Sequence, residues 1–485
     1  MSAPDSRVDA EPARTVALVT LGCARNDVDS EELAGRLTDD GWTIVDDAAQ
    51  AQAVVVNTCG FIESAKKDSI DALLAASDLK GTTAVQAVVA VGCFAQRYGE
   101  ELAEAMPEAD AVLGFDAYPD LGARLRRIVQ GERPASHTPE DRRTMLPITP
   151  VQRPAAAADV AIPGHAARAG QGGIGAVMRK RLAQGPSAPL KLASGCDRRC
   201  SFCAIPSFRG AFVSRPADEV LAEAAWLAEQ GVREVVLVSE NTTSYGKDLG
   251  GTHLLAALLR DLAAIPGLAW VRTSYLQPAE MRPELLEAIA TTAGVVPYFD
   301  MSFQHASPAV LRRMRRFGGT EDFLALISQM RALAPQCGVR SNVIVGFPGE
   351  TEADVQELER FLAAARLDAV GVFGFSPEDG TEAADLDEQV DPDEVAARVE
   401  RVTALVDELV AQRAEDRVGD RVQVLVESVD DFGAGGRAAH QAPEVDGSTR
   451  LVWGRHDREP AVVGSIVTGV VQSSDGADLV VRVDD

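Results

Sequence analysis

Cys196, Cys200 and Cys203 stand at C-x3-C-x2-C spacing in the run Ser194-Gly-Cys-Asp-Arg-Arg-Cys-Ser-Phe-Cys203. Three thiolates this close can hold three irons of a cubane cluster, leaving the fourth iron without a protein ligand and open to chemistry. Two-cluster ferredoxins use a different spacing with a fourth cysteine and a trailing proline, and a structural zinc site wants a fourth Cys or His nearby. Neither accompanies this run, which favours the open cluster and leaves zinc and unrelated thiols as the lesser readings. A second group is dispersed along the chain: Cys23, Cys59 and Cys93 each end an apolar run, TVALVTLGC23, AQAVVVNTC59 and AVQAVVAVGC93. In an open parallel sheet, ligands gather outside the carboxyl ends of the strands. Three cysteines at equivalent strand ends are therefore expected to converge on a second metal cluster. The ordinary alternative is three buried thiols, since free cysteine is among the most buried residue types.

The elements that must carry these residues are legible as alternating patterns. From residue 14 to 128 short apolar strands alternate with helical stretches, with Asn26 and Asp27 as capping candidates for the helix-like VDSEELAGRL. Residues 129–187 lose that periodicity and are rich in Ala, Pro and Gly, which reads as a flexible linker or surface insertion. Between 134 and 187 seven basic residues face three acidic ones, an excess suited to local contact with ribosomal RNA or simply to a solvated spacer. Residues 188–412 hold six strand-like runs, PLKLASG195, REVVLVSE240, AWVRTSYL276, PYFDMSF303, VRSNVIVG346 and DAVGVFGF375. Six β/α units predict a partial (β/α)6 barrel of parallel strands with its chemistry at the carboxyl ends, where the three-cysteine loop follows the first run. Residues 413–485 turn to short β-rich runs broken by Gly and Asp and predict a small C-terminal antiparallel β-barrel. The predicted fold class is thus α/β with a terminal all-β module.

At 485 residues the chain is too long for one ordinary core. A hydrophobic content of 46% supports folded domains. The formal charge of −26, from 73 acidic against 47 basic residues, argues against broad electrostatic binding of nucleic acid. The terminal module is itself acidic, with fourteen acidic residues against eight basic from 413 onward. No apolar run approaches the roughly 18 residues that span a bilayer, and MSAPDSRVDAEPAR lacks the apolar core of a signal peptide. With cysteines clustered outside any disulfide-like framework, these features predict a cytoplasmic protein with no membrane partner.

The C-x3-C-x2-C run resembles the signature of the radical S-adenosylmethionine (SAM) enzymes. With it, LGCARNDVDSE, VVNTCGFIESAKKDSI, VGCFAQRY, SYGKDLG, QHAS, VGFPGET and QAPEVDG look like the methylthiotransferases over nearly the whole chain apart from the N-terminal tail and the linker. The resemblance implies a 4Fe-4S cluster on Cys196, Cys200 and Cys203 whose open iron chelates SAM, and an auxiliary 4Fe-4S cluster on Cys23, Cys59 and Cys93. It further implies reductive cleavage of SAM to a 5'-deoxyadenosyl radical, an electron donor protein, two SAM per turnover and a TRAM-like terminal barrel. CAIPSFRG, GVFGFSPEDGT and QAPEVDG are similar to the RimO branch, which modifies the β-carbon of an aspartate in ribosomal protein twelve of the small subunit, free or in the ribosome. The alternative branch modifies an adenosine of the tRNA anticodon loop.

Around the cofactor the strand-end positions Glu240, Ser302, Gln304, Asn342 and Glu350 are candidate SAM contacts or supports. Two stretches depart from common family patterns, Met301-Ser-Phe303 and Ser239-Glu-Asn241, and the linker is longer than usual. His305 reads as hydrogen-bonded structure and Cys337 as an ordinary thiol. Arg312, Arg313, Arg315 and Arg316 form a charge run whose default is a solvated helix face, with contact to SAM's carboxylate or the substrate as the sharper reading.

Overall fold

Valine-rich runs that are apolar at every position belong in parallel strands buried on both faces, and those of the N-terminal region pair in that way. A computed structural model describes residues 14–60, 62–157, 160–165, 179–430, 433–443, 445–453 and 461–484. By its internal contacts the chain forms two units, residues 1–140 with 161–169 and 178–182, and the remainder.

In the first unit, β1 (Arg14–Thr20), β2 (Trp42–Ile44), β3 (Ala53–Thr58), β4 (Ala87–Val91) and β5 (Ala111–Val112) form a parallel sheet in the order β2-β1-β3-β4-β5. Helices α1 (Ala24–Asp39), α2 (Glu63–Asp78), α3 (Gly92–Ala105) and α4 (Leu121–Val129) complete it. Every residue of β3 and β4 is buried. The register sets Thr20 opposite Asn57 and Asn57 opposite Val91, so the three strands that carry the cysteines end at one level.

The second unit opens with the short α5 (Arg153–Ala156). Six parallel strands follow: β6 (Ser187–Lys191), β9 (Glu234–Val238), β10 (Trp270–Thr273), β11 (Tyr298–Gln304), β12 (Gly338–Val345) and β13 (Ala369–Gly374). They pair as two three-stranded sheets, β10-β9-β6 and β11-β12-β13. Leu276 joins the two, donating its amide to the Asp300 carbonyl and accepting from Ser302 N–H, both at 2.8 Å. A minor pair, β7 (Ala193–Ser194) with β8 (Val213–Ser214), brackets the cysteine loop and α6 (Ile205–Arg209). Helices α7 (Ala217–Glu229), α8 (Leu254–Ala263), α9 (Pro283–Thr291), α10 (Pro308–Arg313), α11 (Thr320–Leu333), α12 (Glu352–Ala365) and α13 (Pro392–Glu415) alternate with the strands. A capping box between Thr351 and Asp354 starts α12. The partial (β/α)6 barrel expected from the six runs is present strand for strand.

The terminal strands β14 (Arg421–Asp430), β15 (Gly433–Ala438), β16 (Thr449–Val452), β17 (Ile466–Asp475) and β18 (Asp478–Val483) close a barrel in the order β14-β15-β16-β18-β17. One pair departs from the antiparallel expectation: β16 and β18 run parallel, while β17, which lies between them in sequence, pairs antiparallel with β14 and β18. This barrel packs at the amino ends of the core strands. Trp270 and Tyr298, the first residues of β10 and β11, join Leu425 and Ala442 in one buried cluster. Glu234, the first residue of β9, is fully buried and pairs with Arg272 at 2.7 Å and with Arg437 of β15. Burial alone raises a carboxyl pKa, yet Arg272 and Arg437 overcome it and hold Glu234 down to about 2. QAPEVDG sits in this junction: Asp446 accepts from Tyr298 Oη and faces Arg340 at 3.4 Å.

The described parts of 129–187 are more than a spacer. Arg153 is buried and grips Asp197 at 2.7 Å, while in the first unit Arg179 and Leu182 N–H reach Glu31 and Gly164 N–H reaches Glu32. Arg142, Arg153 and Arg179 are buried, and the exposed Arg143 pairs with Asp141 at 2.6 Å. Three of the seven basic residues of the segment are thus buried, Arg143 and Lys180 stay exposed, and Arg168 lies outside the described residues.

Candidate active site

At the carboxyl end of the N-terminal sheet, β1, β3 and β4 deliver Cys23, Cys59 and Cys93 to one place. Cys23 is the N-cap of α1, with extended backbone and no side-chain cap bond, so Asn26 is not the cap its type suggested. Asn26 is 1% exposed and forms the hub between the three strand ends. Its Nδ2 donates to Leu21 O at 2.8 Å and reaches Thr58 O at 3.4 Å, its carbonyl accepts from Asn57 Nδ2, and Cys93 Sγ lies 3.6 Å from its Oδ1. Arg25 Nε donates to Cys23 Sγ at 3.4 Å. Glycines beside the cysteines allow this approach. Gly22 has φ +99°, and a Cβ there would fall 2.8 Å from Cys59 Cβ and 2.9 Å from its Sγ. A Cβ on Gly60 would fall 2.7 Å from Phe94 Cα, next to Cys93.

In the second unit, the loop after β7 carries Cys196, Cys200 and Cys203 at the carboxyl end of the strands, opposite the terminal barrel. Cys196 N–H donates to Gly210 O at 3.1 Å, Arg198 N–H donates to Cys196 Sγ at 3.4 Å, and Cys203 N–H donates to Cys200 O at 3.2 Å. Ser201 ties the loop down, with Oγ donating to Arg313 O at 2.7 Å and its carbonyl accepting from Ala383 N–H at 2.8 Å. Burial, and then the neighbouring Cys203 and Cys200, push the Cys196 thiol up. A bound metal cluster would supply the positive charge that favours the Cys196 thiolate.

All seven cysteines are free of disulfides. Among the described residues no three His, Cys, Asp or Glu side chains close around a single metal ion. A cubane, with each cysteine on a different iron, does not require that closure. Each triad thus offers three free thiols, the donor set that a cluster taking one cysteine per iron requires.

The predicted SAM-side residues separate by environment. Glu240 is buried at the end of β9, 3.7 Å from Arg209. Ser302 and Gln304 lie on β11 where its register with β12 shifts, Gln304 with φ +71°. Asn342 lies mid-strand on β12, its Oδ1 buried without a hydrogen-bond partner among the described residues. Glu350 is committed internally: Oε1 accepts from Gly346 N–H and Arg398, each at 2.8 Å, and Oε2 lies 3.2 Å from His305 Nε2. His305 is fully buried and accepts from Ser307 N–H through Nδ1, in line with a structural role. Cys337 is fully buried, its thiol pushed up to about 11 by burial and by Asp368.

Sequence reasoning missed Glu280. It accepts from Arg198 at 2.5 Å, Lys247 at 2.7 Å and Ser244 Oγ at 2.8 Å. Against burial, Lys247 and Arg198 hold it down to about 2. Ser244 and Lys247 belong to SYGKDLG, but nothing around Glu280 marked its role.

Family models agree with this architecture: "Uncharacterized protein family UPF0004" matches residues 15–114, the radical SAM superfamily residues 190–362 and the TRAM domain residues 418–483. Among solved structures, the radical SAM methyltransferase TsrM from Kitasatospora setae with cobalamin and a 4Fe-4S cluster bound is similar in fold. It is 16% identical, with 76% of this chain and 77% of that one covered and a TM-score of 0.51. Fold and site together define a radical SAM enzyme with a TRAM domain. Curated relatives named ribosomal protein uS12 methylthiotransferase RimO extend the match over nearly the full length. Those of Kineococcus radiotolerans and Streptomyces avermitilis are 64% and 61% identical, each covering 96% of this chain and 96% of the relative. The chain belongs to the RimO family of methylthiotransferases.

Proposed function

We propose that the protein methylthiolates the β-carbon of an aspartate in ribosomal protein uS12, using two 4Fe-4S clusters and two SAM per turnover. The observation that carries this reading is the duplicated arrangement of three cysteines, one set past the carboxyl ends of the parallel β1, β3 and β4, the other in the loop that follows the parallel β6 and the short β7. One-electron cleavage of SAM and a transferable sulfur are the chemistry these bound groups supply. Such chemistry answers the substrate's difficulty, since an aspartate β-C–H bond is too weakly acidic for a side-chain base to break.

The chain's own residues bind, orient and enclose. Cys196, Cys200 and Cys203 hold the SAM-cleaving cluster, and Cys23, Cys59 and Cys93 hold the auxiliary one. Arg198, anchored by Glu280, offers its amide to Cys196. Glu240, Ser302 and Gln304 toward the carboxyl ends of β9 and β11, and Asn342 within β12, are the polar groups for SAM. Of these, Asn342 Oδ1 is the buried acceptor in want of a donor. Glu350 supports the fold beneath them. A one-electron donor protein is a required partner.

The tRNA alternative needs a basic face on the terminal module. Among its described residues four arginines are paired with carboxylates, Arg413 and Arg417 with Asp368, Arg437 with Glu234 and Glu427, and Arg421 with Asp484, while Arg450 and Arg482 are exposed; the module as a whole carries fourteen acidic against eight basic residues. The test is anaerobic reconstitution with iron and sulfide, followed by SAM, reductant and a peptide from the uS12 target loop. About eight irons and a peptide gain of about 46 mass units, H replaced by SCH3, are expected. An untouched peptide with modified tRNA overturns the substrate assignment.

A further inference from the structure

The four arginines at the end of α10 and just after it are not alike. Arg312 is exposed, and Arg313 and Arg315 pair with Glu388 at 2.7 Å and Glu382 at 2.5 Å. Arg316 is 7% exposed and turns inward. Its Nη1 donates to Cys200 Sγ at 3.6 Å, and its Nη2 donates to Gln277 Oε1 at 2.8 Å and to Ser302 O.

The backbone is built to aim it. Helix α10 closes with Arg316 N–H on Leu311 O at 2.7 Å and Arg315 N–H on Arg312 O at 3.0 Å. Those two bonds are a Schellman closure, which usually takes glycine at its left-handed position. Arg315 occupies that position here, with φ +56°. Strain of this kind persists where the surroundings over-determine it. It directs the next side chain under the cysteine loop, whose Ser201 N–H is bound to Met314 O at 3.3 Å.

A guanidinium stays protonated in proteins, and a buried charge requires a counter-charge. Arg316 has no carboxylate partner among its described contacts; Gln277 and Ser302 offer neutral oxygens. Among its described hydrogen-bond acceptors, the one able to carry negative charge is the Cys200 sulfur.

We infer that Arg316 is a tuning residue for the SAM-cleaving cluster. Its charge and N–H···S bond at Cys200 favour the more negative, reduced form and so raise the cluster's reduction potential. Hydrogen bonds to cluster sulfurs and local charge are recognised determinants of that potential. The inference rests on the proposed cluster at Cys196, Cys200 and Cys203, and on neither the substrate nor the SAM contacts.

The test uses the full-length protein with Cys23→Ala, Cys59→Ala and Cys93→Ala, so that one cluster contributes, reconstituted and titrated with dithionite by electron paramagnetic resonance in the absence of SAM. R316Q at full iron content is expected to lower the one-electron reduction equilibrium about tenfold, a midpoint shift of about 59 mV downward. R316K, which keeps the charge but not the fork, is expected to shift less, and R312Q not at all. A midpoint for R316Q within twofold of the parent equilibrium overturns the proposal. Should R316Q load iron incompletely, R316K carries the test, and an unmoved R316K midpoint overturns it. Failure of the parent to bind about four irons refutes the cluster assignment itself instead.

Discussion

Glu234→Ala removes the shared anion of the junction between the core strands and the terminal barrel. Glu234 and Arg272 are completely buried, and Arg437 is 4% exposed. Deleting one partner of a buried ion pair costs about 3–5 kcal/mol, because the remaining charge is stranded. Here two guanidiniums are stranded, although Arg272 keeps Tyr298 at 4.7 Å and Ala439 O at 2.9 Å, and Arg437 keeps Glu427 at 2.7 Å. Titration gives an independent magnitude. A carboxyl moved from 4.5 to about 2 contributes about 3 kcal/mol. Since the folded value is the depressed one, this stability is present above pH 4.5 and is lost as pH falls toward 2. Urea unfolding at pH 7, followed by tryptophan emission, is expected to show E234A destabilised by about 3 kcal/mol or more, with a smaller penalty for E234Q. Between pH 4.5 and 3 the gap between E234A and the parent should narrow. A loss below about 1 kcal/mol at pH 7, or a gap independent of pH, refutes the argument that this charge cluster fastens the barrel.

Three further outcomes follow from the N-terminal site and the odd cysteine. Asn26→Ala is expected to cost about 1–3 kcal/mol, from the buried partners left at Leu21 and Thr58, and to reduce reconstituted iron by about half with SAM cleavage retained; iron analysis and 5'-deoxyadenosine assay check it. Gly22→Ala places a methyl 2.8 Å from Cys59 Cβ at φ +99°, so the auxiliary cluster's iron is expected to fall while the second cluster's spectrum is unchanged. Cys337→Ser should leave the iron content and both cluster spectra as in the parent, because this thiol lies outside both triads; lost iron would show otherwise.

The six core strands and both cysteine triads were legible because local pattern and position coincide. Apolar runs mark β1, β3 and β4, and a cysteine stands one to three residues past the end of each. What stayed hidden depends on partners distant in sequence. Arg316 meets Cys200 across 116 positions, and Glu280 meets Arg198 across 82. An arginine run reads as one solvated face until the turn at Arg315 shows that only Arg316 points inward. QAPEVDG was legible as a family pattern, but its physical work, seating Asp446 against Tyr298 and Arg340, required knowing where the barrel docks. Glu350 looked like a cofactor contact by its strand-end position, and its bonds to Arg398 and Gly346 turn it toward the fold.

The central claim is that two cysteine triads hold two clusters with different tasks. Its most direct test is the Cys93→Ala protein, reconstituted and given SAM, reductant and the uS12 peptide, with 5'-deoxyadenosine and peptide mass read from one reaction. The account predicts continued SAM cleavage with no methylthio group on the peptide. A methylthiolated peptide, or loss of SAM cleavage from a protein that retains the iron of its second triad, would contradict it.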